Sequence, residues 1–320
     1  MANWMTGPVT VQVPATSANL GPGFDSLGLA LSLHDTVRAR VLPSGLQVEV
    51  TGAGAEDLER GEGHLVIRAM RAAFAAIGPQ PPGIGISCRN DVPQGFGLGS
   101  SAAAIVAGVL AARALAGPDG AAVLPAEAVL ELATRLEGHP DNVAACLLGG
   151  LTISWTTAGG ARATRLAPLP QLAPVLCVPA APVLTETARK ALPALVSHAD
   201  AAANSARAAL LIAALTSRPD LLLAGTQDFL HQSYRAAAMP ATAALVDRLR
   251  AAGIAAVVSG AGPSVLALTV GGAGPAGGAG PAGDAGPGPA EVARIAAGAG
   301  QAWRVLPLAV DAQGAVLLPA

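Results

Sequence analysis

Residues 93–102 read Pro93-Gln-Gly-Phe-Gly-Leu-Gly-Ser-Ser-Ala102, between a strand ending near Cys88 and an alanine-rich helix predicted from Ser100 to about Leu115. Gly95, Gly97 and Gly99 let the backbone approach a ligand closely and turn through positive φ. Ser100 and Ser101 open the helix, whose first N–H groups have no partner within it and whose dipole favours an anion. Strand, glycine loop and helix start together describe a phosphate cradle. It is not a Walker loop, because no lysine follows the glycines and the chain's one lysine is Lys190.

Outward from the loop, Val9, Val11 and Val13 alternate with polar residues and predict a strand that ends at Pro14 and opens into a turn-rich stretch, Ala15–Gly23. Asp35–Leu42, Leu46–Thr51 and Ile84–Cys88 read as strands, Leu65–Ile77 as a helix closed by Gly78-Pro79, and Pro125 to about Leu136 as another helix. Leu151–Trp155 and Leu172–Val178 are further strands, and the Pro/Gly/Thr-rich stretch 156–171 between them is the expected domain boundary. Beyond it, helices (Glu186–Leu195, Ala199–Leu215, Asp220–His231, Thr242–Ala251) alternate with strands (Ala255–Ser259, Val265–Thr269, Ala309–Asp311), an α+β order. Residues 271–290 repeat Ala-Gly-Pro without a large side chain, so burial cannot offset their ordering entropy. They read as a disordered, functionally silent surface insertion. Gly does not keep the strict three-residue period of collagen there.

At 320 residues the chain has length for about two domains. With 52% hydrophobic and 12% charged residues it is no disordered chain, and a net charge of −2 argues against a nucleic-acid binder. Three charge-free windows, 92–112, 142–161 and 251–283, are long enough to raise the question of a membrane span. Each is interrupted by Gly, Ser or Pro and lacks an aromatic or basic flank, so no membrane segment is expected. The opening MANWMTGPVTVQV has no basic region followed by an apolar core, and a cytoplasmic location is expected. Cys88, Cys146 and Cys177 are odd in number and widely spaced, which predicts small buried apolar residues rather than disulfides or a thiolate metal site. His34 and His198 stand alone and read as ordinary surface or packed residues.

Glu137-Gly-His-Pro-Asp-Asn142 gathers two acids, an imidazole and an amide, although the bare string reads equally well as a helix C-cap at Gly138 before a Pro turn. Thr185-Glu-Thr-Ala-Arg189 and His231-Gln-Ser-Tyr-Arg235 each bring an arginine that alone would read as a solvated helix face. Together the arginines suit a carboxylate, which a guanidinium fork binds bidentately.

The loop matches, at every fixed position, the Pro-x-Gly-x-Gly-Leu-Gly-Ser-Ser-Ala motif of the GHMP kinases, which the sequence resembles. Pro14-Ala-Thr-Ser-Ala-Asn-Leu-Gly-Pro-Gly-Phe-Asp25 is similar to the opening motif of the members whose acceptor is homoserine. Ser259-Gly-Ala-Gly-Pro-Ser264 is similar to the family's third, glycine-rich motif, which supports the phosphate loop. The three motifs come in the family's order, and the resemblance covers almost the whole chain.

The resemblance implies a two-domain α+β GHMP kinase fold. Its parts would be an N-terminal ribosomal-protein-S5-like domain over 1–160, carrying the ATP loop, and a C-terminal ferredoxin-like domain over 161–320. It implies ATP-dependent phosphorylation of the L-homoserine hydroxyl, a step toward threonine. ATP phosphates would lie on Pro93, Gln94, Gly95, Phe96, Gly97, Leu98, Gly99, Ser100, Ser101, Ala102 and Ala103. Mg2+ would be held near a hydroxyl of Ser100 or Ser101 and the Glu137 carboxylate. Asn19, Asp25, His139, Arg189 and Arg235 would hold homoserine, Asp25 taking the ammonium and the arginines the carboxylate. Asn142, Asp141 and Thr185 would line the reacting hydroxyl. No lysine precedes Lys190, which counts against a lysine-assisted Asp base and toward positioning and charge stabilisation. His64 precedes Leu65-Val-Ile-Arg-Ala69 where the family commonly has Asn, so the adenine contacts depart from the pattern. Two alternatives stay open: another small alcohol as acceptor, such as an isoprenoid precursor, and a nucleotide-binding regulator without catalysis. A homodimer is also left open.

Overall fold

The computed structural model describes residues 4–182, 190–271 and 287–319. Their strands are β1 (Val9–Ala18), β2 (Leu27–Leu42), β3 (Gly45–Gly52), β4 (Gly83–Asn90), β5 (Leu151–Thr157), β6 (Gly160–Leu166), β7 (Leu172–Pro179), β8 (Ala255–Val258), β9 (Val265–Val270), β10 (Trp303–Pro307) and β11 (Val316–Leu318). The helices are α1 (Leu65–Ile77), α2 (Ser100–Leu115), α3 (Gly117–Val123), α4 (Ala126–Glu137), α5 (Asp141–Leu148), α6 (His198–Thr216), α7 (Leu222–Gly225), α8 (Gln232–Arg235), α9 (Pro240–Ala251) and α10 (Pro289–Ala297). The α+β class read from the sequence holds.

The first sheet runs β11-β1-β2-β4-β3, with β5 and β6 added through the start of β2. Long β2 pairs with β4 over Thr36–Leu42 and with β5 over Leu27–Leu29. Val11 and Val13 of β1 turn inward as the alternation predicts. The strand does not end at Pro14, however. Its pairing with β2 shifts register between Pro14 and Ala15 and continues to Ala18. A proline is tolerated at such an irregularity, and beyond it every residue is buried, so the polar-apolar alternation that marks a half-exposed strand disappears.

Helices α1, α2, α4 and α5 enclose the first core against this sheet. α2 is apolar all round and sits at its centre, with Ala102, Ile105, Val106, Val109 and Leu115 all buried. The charge-free window at 92–112 is therefore a loop and a core helix, and among the described residues no helix is long and apolar enough to cross a membrane.

The second sheet, β10-β7-β9-β8, is antiparallel throughout, with helices packed on it. Its strands alternate between two cores. Leu176, Val257 and Leu266 face the first sheet, where they meet Leu20, Leu29, Leu31, Leu98 and Leu151. Val175, Val258 and Val265 face the opposite way, onto Leu245, Leu249 and Val292.

Several sequence expectations change. The stretch 156–171 contains β6, which pairs with β5, so the chain passes from one sheet to the other between Leu166 and Leu172. β11 then returns to the first sheet, Thr10 lying opposite Leu318, while Ala309–Asp311 reduces to a single bridge between Leu31 and Val310. The helix read over Asp220–His231 is broken after Gly225, because the Asp228 carboxylate accepts the backbone N–H groups of Leu230, His231 and Gln232 and so offers the chain an alternative to helix. Of the predicted helix Glu186–Leu195, residues 186–189 lie outside the described residues, and beyond Lys190 the chain is turn and irregular rather than helix, since Pro193 cannot continue one. The insertion 271–290 falls largely outside the described residues.

Candidate active site

The glycine loop joins β4 to α2 and is fixed at both ends. The Asp35 carboxylate accepts the N–H groups of Asp91 (2.7 Å) and Val92 (2.8 Å) just before it. Burial pushes that carboxyl up to about 6 even against those two hydrogen bonds. Gly95, Gly97 and Gly99 all take positive φ. Gly99 is the N-cap of α2 in the left-handed region, no side chain caps the helix, and its first N–H groups are left for an anion. The third glycine motif braces the loop from the second sheet: Ser259 Oγ donates to Gly97 O (2.7 Å) and shares a hydrogen bond with Ser17 Oγ (2.9 Å).

Where α4 ends and α5 begins, Glu137, His139, Asp141 and Asn142 gather beside the start of α2. Gly138, left-handed at the C-cap of α4, makes the turn. Ser101 Oγ donates to Glu137 Oε2 at 2.6 Å. His139 Nδ1 is hydrogen-bonded to Asp141 Oδ1, its Nε2 lies 4.0 Å from Glu137 Oε1, and Asp141 Oδ1 also accepts Asn142 N–H at 2.7 Å. Thr16 Oγ1 donates to Asn142 Oδ1 at 2.8 Å and so fixes that amide.

The opposite wall is the 19–25 loop. Asn19, Leu20 and Asp25 hold positive φ without being glycine, a conformation that persists only where the surroundings enforce it. Asn19 Nδ2 donates to Gly260 O (2.9 Å) and its Oδ1 accepts Asp25 N–H (2.9 Å). Buried Asn204 of α6 ties the same loop down, donating to Pro22 O (2.8 Å) and accepting Phe229 N–H (3.1 Å). Arg235, only 1% exposed, reaches this wall beneath Phe24, whose ring centroid lies 5.6 Å from its guanidinium carbon.

One cleft is lined by Asn19, Asp25, the loop glycines, Ser100, Ser101, Glu137, His139, Asp141, Asn142 and Arg235, with Gly260 and Ala261. The chain thus brings together most of the site residues that can be placed, although Pro93 does not line the cleft and Gln94 and Ala103 line the hollow beside it. Ala102 instead points into the core and Phe96 packs on the core between the sheets. Thr185 and Arg189 lie outside the described residues. A second, more apolar hollow adjoins the cleft across Gly95, Ser100 and Ser101, and Gln94, Leu58, His64, Leu65, Val66 and Ala104 line it. His64 is buried there, its Nδ1 has no hydrogen-bond partner among the described residues, and burial lowers its pKa. Thr16, Ser17, Asn204 and His231 are structural supports of the site that sequence reading had not assigned. Thr16 and Ser17 lie inside the opening motif, which was the available signal.

Residues 64–150 match the model of the GHMP kinases N terminal domain and 194–297 that of the GHMP kinases C terminal. A homoserine kinase of Streptomyces avermitilis is 54% identical over 98% of this chain and 99% of its own length. One from Leifsonia xyli is 47% identical, covering 97% and 91%. The crystal structure of homoserine kinase from Cytophaga hutchinsonii superposes with a TM-score of 0.81 at 25% identity, covering 99% of each chain. A glycine loop at a helix start, an acid-histidine cluster beside it and full-length relatedness converge: the chain belongs to the GHMP kinase family, on its homoserine kinase branch.

Proposed function

We propose that the cleft transfers the γ-phosphoryl group of ATP to the hydroxyl of L-homoserine, giving O-phospho-L-homoserine and ADP. One observation carries the reading. A single cleft sets an anion-binding loop beside an acid, Asp25, and a buried cation, Arg235, charges that complement the ammonium and carboxylate of an amino acid. Arg235 would take the carboxylate, joined by Arg189 on the family resemblance, and Asp25 the ammonium. Asn19 and His139 would complete the acceptor site.

The α2 N–H groups and the loop backbone would receive the phosphates, and the apolar hollow beside them suits the adenine base. Asn142 and Asp141 would orient the hydroxyl, with Thr185. As its oxygen forms a bond to the γ-phosphorus, the bond to the β–γ bridging oxygen breaks and the hydroxyl proton is released. Asp141 Oδ1 is already engaged by His139 and by Asn142 N–H, which supports orientation and charge stabilisation over a strong base. Ser101 and Glu137 set hydroxyl and carboxylate oxygens side by side at the loop, a donor set that fits Mg2+. Among the described residues no three His, Cys, Asp or Glu side chains cluster as a cage, so phosphate and water would supply the remaining ligands. When bound, the ion would neutralise phosphate charge.

ADP release with homoserine, mevalonate, galactose and serine as acceptors tests this. Homoserine is expected to be preferred. Asp25→Asn and Arg235→Ala should each raise the homoserine KM by roughly thirtyfold while the ATP KM moves less than about threefold. Equal use of mevalonate, or unchanged homoserine KM in both variants, overturns the assignment.

A further inference from the structure

His231 is not among the residues that line the cleft, yet it is fully buried between the two groups that shape the acceptor side. Its Nε2 lies 2.9 Å from Gly21 O, in the 19–25 loop, and its Nδ1 lies 3.1 Å from Arg235 Nη1. These partners settle the proton. A carbonyl only accepts and a guanidinium only donates, so Nε2 carries the hydrogen and Nδ1 offers its lone pair. The ring also lies against Phe24, centroids 5.2 Å apart, on the same loop that carries Asp25.

We propose that His231 is a positioning residue for the acceptor: as the neutral Nε2–H tautomer it holds the Arg235 guanidinium by its Nδ1 lone pair and clamps the 19–25 loop by its Nε2 hydrogen. This rests on reading Arg235 as the carboxylate-binding group. The charged groups facing the ring are Asp228, 3.6 Å from Nε2, Arg235, and Asp25 from the loop. Burial outweighs the two acids and lowers the pKa of the ring below its ordinary value, so the clamp is intact at neutral pH. A proton added at Nδ1 removes the lone pair and sets a donor against a donor, so homoserine affinity falls on the acid side.

Gln and Asn separate the two functions. In His231→Asn the amide oxygen reaches the Nδ1 position and can still accept from Arg235. In His231→Gln the amide reaches the Nε2 position and serves Gly21 instead. The homoserine KM is expected to rise in both variants with ATP KM steady, by roughly tenfold in His231→Gln, which loses the hold on Arg235, and by about threefold in His231→Asn, which loses the hold on the loop. The wild-type homoserine KM should climb on the acid side of the ordinary imidazole range more steeply than that of His231→Asn, whose amide does not titrate. Nitrogen-15 NMR of the wild-type imidazoles, with His231 assigned by its absence from His231→Asn, should give the Nε2–H tautomer at neutral pH.

An Nδ1–H tautomer or an imidazolium at neutral pH overturns the proposal, as does an equal rise of homoserine and ATP KM with lost thermal stability, the mark of a merely structural residue. If Arg235→Ala raises the homoserine KM and neither His231 variant does, the clamp fails while the acceptor reading stands. If Arg235→Ala leaves it unchanged, the acceptor reading fails and the clamp's role in the reaction falls with it.

Discussion

At Gly97 the backbone turns through φ 73°, and a Cβ there would collide with Ser259 O and come within 2.8 Å of Gly262 O. Neither neighbour can retreat easily, since Ser259 is itself bonded to Gly97 O. Gly97→Ala demands a left-handed alanine, at about 1–2 kcal/mol, in addition to a displaced loop. Its kcat/KM for ATP is expected to fall at least roughly tenfold in steady-state kinetics, with a smaller change in homoserine KM. Wild-type values would show that the loop does not need this turn. The sequence announces Gly97 by the local spacing of its loop, and Ser101 and Glu137 through the family resemblance of the segments that hold them. It is silent where partners are far apart in the chain. Thr16 meets Asn142 across 126 positions, Asn204 meets Pro22 across 182, and His231 meets Gly21 across 210. Residue type and spacing carry no record of such pairings, so these supports emerge only from the fold.

α2 shows why an alanine-rich helix serves this site. Its Gly108 lies under α1, where a Cβ would stand 2.5 Å from Val66 O and 2.7 Å from Ala69 Cβ. Small residues therefore let α1 pack closely on α2, and α1 carries Leu65 and Val66 to the wall of the apolar hollow. Gly108→Leu should push the helices apart, costing about 1–3 kcal/mol of stability. Because the hollow widens, the ATP KM should rise more than the homoserine KM, and thermal melts with steady-state kinetics check both. An unmoved ATP KM would separate the hollow from nucleotide binding. Elements with a strong local pattern were legible, and the predicted helix Leu65–Ile77 coincides with α1. The second half of β1 was not, because burial by neighbouring elements erases the alternation. Nor was the break before His231, which Asp228 imposes by capturing backbone N–H groups.

Across the whole molecule the two sheets share a core. Leu20, Leu29, Leu31, Leu98 and Leu151 from the first half meet Leu176, Leu211, Leu215, Val257 and Leu266 from the second. Neither half can bury these residues alone, so the chain should unfold in one calorimetric transition, with a ratio of calorimetric to van't Hoff enthalpy of about 1. A fragment of residues 1–166 should lack a cooperative melt, and its independent folding would show the shared core to be dispensable. β11 adds a constraint on how the molecule is made. Among the described strands it comes last in chain order, yet it covers the edge of β1 at Thr10–Gln12. A ribosome therefore delivers β1 long before its partner, and throughout that interval the nascent sheet carries an open row of N–H and C=O groups on which a neighbouring chain could template. Escape from aggregation during synthesis is thus tied to a partner strand that is translated long after the edge it covers.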